Sequence, residues 1–331
     1  MLEEQDNHIK PKHFSFIISK SKFYPYIISV LTITISYYFS LHYVGGDQLH
    51  YTRFYNDIRG VNIFSAFIMY RNYLGASEPI YFIIIYLVSS FVDKNIFMAL
   101  VNGVFMFYVT KLMIFQRINK LFILTLLFNF YFLVLFLAAE RLKFSLLFFV
   151  LFIYYFQKKK TSFLFLILSI LSHVQTILLL LSVYINKLVN TASNIFIHLK
   201  FKKSSYIVPI FIISFFVLYI LKDHIVRKIG SYSGDGFNIY NIVKPVIFMV
   251  FTFFIYKKKF PKIFLMFLPI IVGSYFFGES RIVIFAYFLF FFLSFRESSK
   301  INIYIFLTSI YFIYKGVVFL NDVMMYGTGF K

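Results

Sequence analysis

The sequence predicts an all-α protein, a polytopic transmembrane helical bundle of about eleven spans. Three observations carry that prediction. Hydrophobic residues make up 60% of the chain and charged residues only 14%, against about a quarter charged in a soluble domain; the mean hydropathy is +0.80. Apolar runs near the roughly 20 residues needed to cross a bilayer recur along the whole chain, and none alternates as barrel strands would. Lys and Arg gather in short segments between those runs, as the positive-inside bias requires. The same clustering accounts for the net charge of +20, which points to anionic lipid and not to nucleic acid. Cys is absent, which excludes disulfides, thiol catalysis and Cys-ligated metals.

Taken in order, spans are expected near 23–42, 79–92, 95–115, 121–139, 142–156, 161–185, 206–222, 239–256, 262–277, 281–295 and 301–320. The basic start, with Lys10, Lys12, Lys20 and Lys22, reads as an uncleaved anchor whose N-terminus stays inside. Two hydrophilic segments, 43–78 and 222–238, are expected outside, and the amphipathic linker 186–205 on the inner surface. Within the first loop, "IFSAFIMYRNYLG" (63–75) fits an interfacial helix. Residues 1–331 show no internal repeat and read as one integral membrane domain. The count has one conflict: it places "QKKK" (157–160) outside. Moving it inside requires a broken or re-entrant segment, either at "AAERLK" (138–143) or at "SHVQT" (172–176).

Charge is concentrated in a few motifs. "HYVGGDQLHYTRFYNDIRG" (42–60) holds Asp47, His50, Arg53, Asp57 and Arg59. Two readings fit: glycines ending one helix with Asp47 capping the next, or a partly shielded carboxylate placed for general base work on a sugar hydroxyl. In "ASEPIYF" (76–82), Glu78 precedes a helix-opening Pro79, where an acid complements the helix dipole. Glu78 and Asp47 end the same loop and could face each other. Glu140, Arg141 and Lys143 interrupt some 36 apolar residues, 121–156. They fit either the turn of a tight hairpin or an Arg141 that holds a phosphate bidentately with Glu140 orienting it. His173 is expected near mid-membrane, where an ionisable residue has a function or a polar partner. No partner stands at ligand spacing from it, so neither a metal nor another cofactor is expected. Arg281, in "FGESRIVIFAYF" (277–288), is either a loop cap or a second phosphate clamp. The basic loop 222–238, which holds Arg227, could close over an anionic lipid-linked ligand or present its charges as a solvated face.

The order "GGDQLHY", "EPIYF", "ERLKFSLLFF", "LSHVQT", "SRIVIFAYF" resembles the EpsG family and, more broadly, the Wzy class of O-antigen and capsule polymerases. Asp47, Tyr51, Glu78, Pro79, Arg141, His173 and Arg281 match the family pattern in order over roughly residues 24–295. "HVQT" departs from the family's H-x-S, and "GGD" is a loose form of its acidic start. The resemblance implies a type C membrane glycosyltransferase in the bacterial inner (cytoplasmic) membrane. Its substrate would be undecaprenyl-pyrophosphate-linked oligosaccharide, with membrane lipid and a chain-length regulator as candidate partners. It further implies Asp47 or Glu78 acting on the acceptor hydroxyl. Arg141, Arg281 and Arg227 would serve the leaving pyrophosphate, His173 would orient acceptor or phosphate as a catalytic residue, and Tyr51 and Glu140 would bind substrate. Rival readings are a polysaccharide-lipid flippase or other transporter, a membrane acyltransferase decorating glycans, and a structural member of an export assembly.

Overall fold

The structure, a computed structural model, describes residues 23–198, 239–256, 260–277, 279–297 and 303–330. The described residues form helices and turns, with no strand among them. In order the helices are α1 (Tyr24–His42), α2 (Asp47–Asp57), α3 (Ile63–Leu74), α4 (Pro79–Val88) and α5 (Lys94–Phe115). Then come α6 (Lys120–Thr125), α7 (Phe130–Leu137), α8 (Glu140–Tyr154), α9 (Lys159–Ser172) and α10 (Thr176–His198). The last four are α11 (Val243–Tyr256), α12 (Phe260–Phe277), α13 (Glu279–Glu297) and α14 (Ile303–Tyr326). The expected span 206–222, the outer loop 222–238 with Arg227, and residues 199–205 of the linker 186–205 lie outside the described residues.

Short polar residues set the helix starts. Asn62, Asp93, Asn119 and Asn129 each accept a backbone N–H of the first turn that follows, opening α3, α5, α6 and α7. Asn129 also explains a bend. Its backbone closes the 3-10 turn Leu126–Phe128, its carbonyl oxygen caps α7, and its amide donates to the Tyr287 hydroxyl at 2.8 Å. The chain therefore turns by 54° between Lys120–Phe128 and Phe130–Leu137.

Among the described residues, four helices are long and apolar enough to cross a membrane: α1, α5, α14 and the stretch Ile239–Tyr256 that contains α11. The bent pair makes a fifth. Their outward faces carry exposed apolar side chains, such as Val30 at 60% and Tyr314 at 67%, the inverse of a water-facing surface and the pattern a lipid surround tolerates. The expected span 79–92 takes a different form. Helix α4 has 10 residues, about 15 Å, and Tyr86 in its last turn donates to the Val61 carbonyl of the preceding loop. It begins and ends against the same loop.

Contacts define two ends of the bundle. At one, Gly45 N–H donates to the Gly327 carbonyl at 2.8 Å and the Gln48 amide to the Leu137 carbonyl at 2.5 Å. This gathers the end of α1, the start of α2, the α7–α8 junction and the end of α14. At the other, the Tyr24 hydroxyl donates to the Lys120 carbonyl at 2.5 Å, Lys111 lies over the Tyr154 ring, and Asn186 donates to the Lys262 carbonyl. The second end is the basic one. The chain breaks at both expected places, Ala138–Ala139 and His173–Gln175, and α9 and α10 run in opposite directions. Residues 157–160 consequently sit at the end of Tyr24 and Lys120, where charge bias wants them, with Lys158 over the Tyr155 ring.

One close approach holds α14 in place. A Cβ built on Gly316 would collide with the Phe128 carbonyl oxygen, a backbone atom that cannot rotate away. Gly316→Ala is expected to cost about 1–3 kcal/mol through overpacking. It should appear as a lower melting temperature of the detergent-solubilised protein, whereas substitution of the exposed Val317 should leave melting unchanged.

Candidate active site

Three interruptions of helical structure build the site. Glu78 is extended (φ −71°, ψ 116°) before Pro79 opens α4, α8 restarts after Ala139, and His173 is extended (φ −161°, ψ 115°) after α9 ends. Each break leaves a polar side chain at the same end of the bundle. Arg141 Nη1 donates to Glu78 Oε2 at 3.0 Å, and His173 Nδ1 lies 3.2 Å from Glu78 Oε1. Tyr70 OH donates to Oε2 at 3.3 Å, as does the Ser77 N–H at 3.1 Å. Arg141 Nε donates to Tyr51 OH at 3.3 Å, and His173 Nε2 lies 3.1 Å from Gln175 Oε1. The side chains of Glu78, Arg141 and His173 are 3%, 5% and 7% exposed. With so little water present, the pair is weakly screened and each partner depends on the other. Burial alone would raise the Glu78 carboxyl. Arg141 and then His173 outweigh burial and hold it well below the usual carboxylate range.

A second buried network adjoins the first. Glu140 accepts from Lys94 Nζ at 3.2 Å and from Tyr81 OH at 2.8 Å. Lys94 also donates to Gln48 Oε1 at 2.5 Å and Thr52 Oγ1 at 2.9 Å, tying α5 to α2. Lys143, buried on the next turn of α8, donates to the Phe136 carbonyl at 2.9 Å. Below them, Ser145, Ser169 and Thr176 bond one another and join α8 to the two helices flanking His173. The buried set carries three formal cations, Lys94, Arg141 and Lys143, against two carboxylates, Glu78 and Glu140. Above it, Arg281 Nη2 meets Asp47 Oδ2 at 2.5 Å, with the side chains 27% and 52% exposed.

These positions correct several expectations. Glu140 does not orient Arg141. Consecutive residues on a helix point about 100° apart, so Glu140 turns to Lys94 while Arg141 turns to Glu78. Asp47 does not cap α2: Gly46 holds the cap position with φ 56° and no side-chain bond closes it. The Asp47 carboxylate goes to Arg281 instead, and Asp47 and Glu78 engage different arginines. His173 stands at a turn between opposed helices and not in the middle of one. The charged hairpin 138–143 is present as a turn, but its charges are buried. Tyr51 accepts from Arg141 and Arg281 meets Asp47, while Arg227 lies outside the described residues.

Sequence reading missed Lys94, Gln48, Tyr70, Tyr81 and Gln175. Lys94 left a signal: Lys94, Met98, Asn102 and Met106 recur every four residues, and all are buried. A lysine and an asparagine on one stripe of an apolar helix mark a polar interior. Tyr70 and Tyr81 left none, since Tyr is abundant throughout the chain. Among the described residues no group of His, Asp and Glu could hold a metal ion. Compared with known proteins, the chain matches no family model, and no curated protein and no solved structure shows significant similarity to it.

Proposed function

We propose that this protein is a bacterial polysaccharide polymerase of the cytoplasmic membrane. It transfers a glycan from undecaprenyl pyrophosphate onto a lipid-linked oligosaccharide repeat unit at the outer face. The observation that carries the reading is the dry Glu78–Arg141–His173 cluster beneath an accessible Asp47–Arg281 pair, all at the end of the bundle opposite the lysine-rich one. The ordered motif resemblance supplies the reaction class.

In this reading the acceptor hydroxyl oxygen bonds to the anomeric carbon of the donor sugar as the bond to pyrophosphate breaks. The pyrophosphate leaves with the electron pair, and the hydroxyl proton passes to a carboxylate. Asp47 suits that base role: it is half exposed and paired with Arg281. Glu78 does not, because it is enclosed and held ionised by Arg141 and His173. Its work is to hold Arg141, whose Nη2 retains donors for a phosphate oxygen. Arg281 would exchange Asp47 for phosphate as the anion arrives, freeing the base at that moment. The formal excess of cations around Arg141 favours charge developing on the leaving group.

The test is glycan laddering in a strain lacking the gene. The null strain should show single-repeat glycan, and wild type should restore the ladder. Asp47→Asn should fail to restore it, with a loss of about 100-fold or more, yet melt within about 1 kcal/mol of wild type because an exposed ion pair contributes little. A null strain that still polymerises would end the enzyme assignment. Repeat units retained on the inner face of the null strain would point to a flippase.

A further inference from the structure

A cavity of about 460 Å3 lies between α5, α7, α8, α10 and α13. It runs from Leu146, next to Ser145, and Leu179, about one turn beyond Thr176, to Gln116, Phe156 and Lys187 at the basic end. Its wall is almost wholly Phe, Leu, Val, Ile and Met from α5, α7, α8, α10 and α13. The polar members, Gln116, Tyr184 and Lys187, gather at the basic end. Lys187 is exposed and lies over the Tyr184 ring at 5.6 Å.

The backbone at that end is strained. Arg117, between the lining residues Gln116 and Ile118, has φ 62° and is the one non-glycine with positive φ among the described residues. It holds the position after α5 where glycine normally ends a helix: Arg117 N–H donates to the Ile114 carbonyl and Ile118 N–H to the Met113 carbonyl. Glycine would relieve the strain, and an exposed arginine stands there instead.

We infer that this cavity binds one acyl chain of an anionic phospholipid whose head group is held by Arg117 and Lys187. An apolar slot of this size, with exposed Lys187 in its wall and exposed Arg117 between two lining residues, matches a chain with an anionic head and not a polar metabolite. The head group lies at the opposite end of the bundle from Arg141, so the inference does not rest on the proposed reaction.

The experiment uses the full chain in nanodiscs containing phosphatidylglycerol with a diazirine in one acyl chain, beside the matching phosphatidylcholine. Mapped by mass spectrometry, phosphatidylglycerol should label interior positions such as Val150 and Leu179 at least threefold more than phosphatidylcholine does. Arg117→Gly with Lys187→Gln should remove that preference; Arg117→Gly relieves strain, so unfolding is no explanation for the loss. Val183→Phe, which narrows the slot, should abolish interior labelling while leaving labelling of the exposed Leu164 unchanged. Equal labelling by both lipids, labelling confined to exposed residues, or protection only by a polyprenyl phosphate would overturn the assignment. So would a segment of this chain crosslinked into the slot.

Discussion

Arg141→Ala is expected to abolish the glycan ladder and to destabilise the protein at the same time. The substitution leaves Glu78 nearly dry and without its main counter-charge, with Tyr70, Ser77 and His173 around it. Removing one partner of a buried pair costs about 3–5 kcal/mol. Loss of charge stabilisation at the leaving group would cost a further 100- to 1,000-fold in rate, on the order of a missing oxyanion donor. The two effects separate in a double variant. Glu78→Gln with Arg141→Met removes both charges, while the introduced amide keeps the chance to bond Tyr70 and Ser77. Its melting temperature should return close to wild type, since neutralising a buried pair together is often neutral. Its ladder should stay absent. A double variant that recovered both would reduce Arg141 to a structural residue, and the proposed chemistry would lose its centre.

The second large effect is expected at Lys94, a residue that touches neither proposed reactant. Lys94→Met removes the cation paired with Glu140, leaving it the Tyr81 hydrogen bond and the nearby Lys143, and cuts the bonds to Gln48 and Thr52 that fasten α2 to α5. The cost should again be about 3–5 kcal/mol, with Glu140→Gln restoring most of it. The specific readout is hydrogen exchange. Amides of α2, which carries Asp47 and Tyr51, should exchange faster in Lys94→Met while those of α14 do not. If α2 exchange stays at the wild-type rate, Lys94 is not what fixes the wall of the site, and its burial needs another explanation. Ladder assays of Lys94→Met with Glu140→Gln then measure how far catalysis depends on α2 being held.

Much of the site's membership was legible because an apolar chain makes charge conspicuous. Asp47, Glu78, Arg141, His173 and Arg281 each interrupt or border an apolar run, and an ionised group placed there requires a partner. The partners themselves were not legible. Arg141 could be assigned to Glu140 by adjacency, yet helix geometry sends the two residues to different neighbours. Lys94 stands beside Asp93, which caps α5, at the end of an apolar helix and not inside it. The conflict over residues 157–160 shows the same division. Charge bias stated that some segment had to break, and both candidates did, at Ala138–Ala139 and at His173–Gln175.

By itself the sequence determined the helical class, the apolar exterior and the sorting of lysines toward one end, because these follow from composition and period along a single chain. It also marked where the helices start, through Asn62, Pro79, Asp93 and Asn129, since a cap acts within four residues. Tertiary structure alone decided which acid meets which base. Glu78 reaches Arg141 across 63 positions and Asp47 reaches Arg281 across 234. In a dry interior a charge settles with whichever opposite charge packing brings within about 3 Å, and no local pattern encodes that distance.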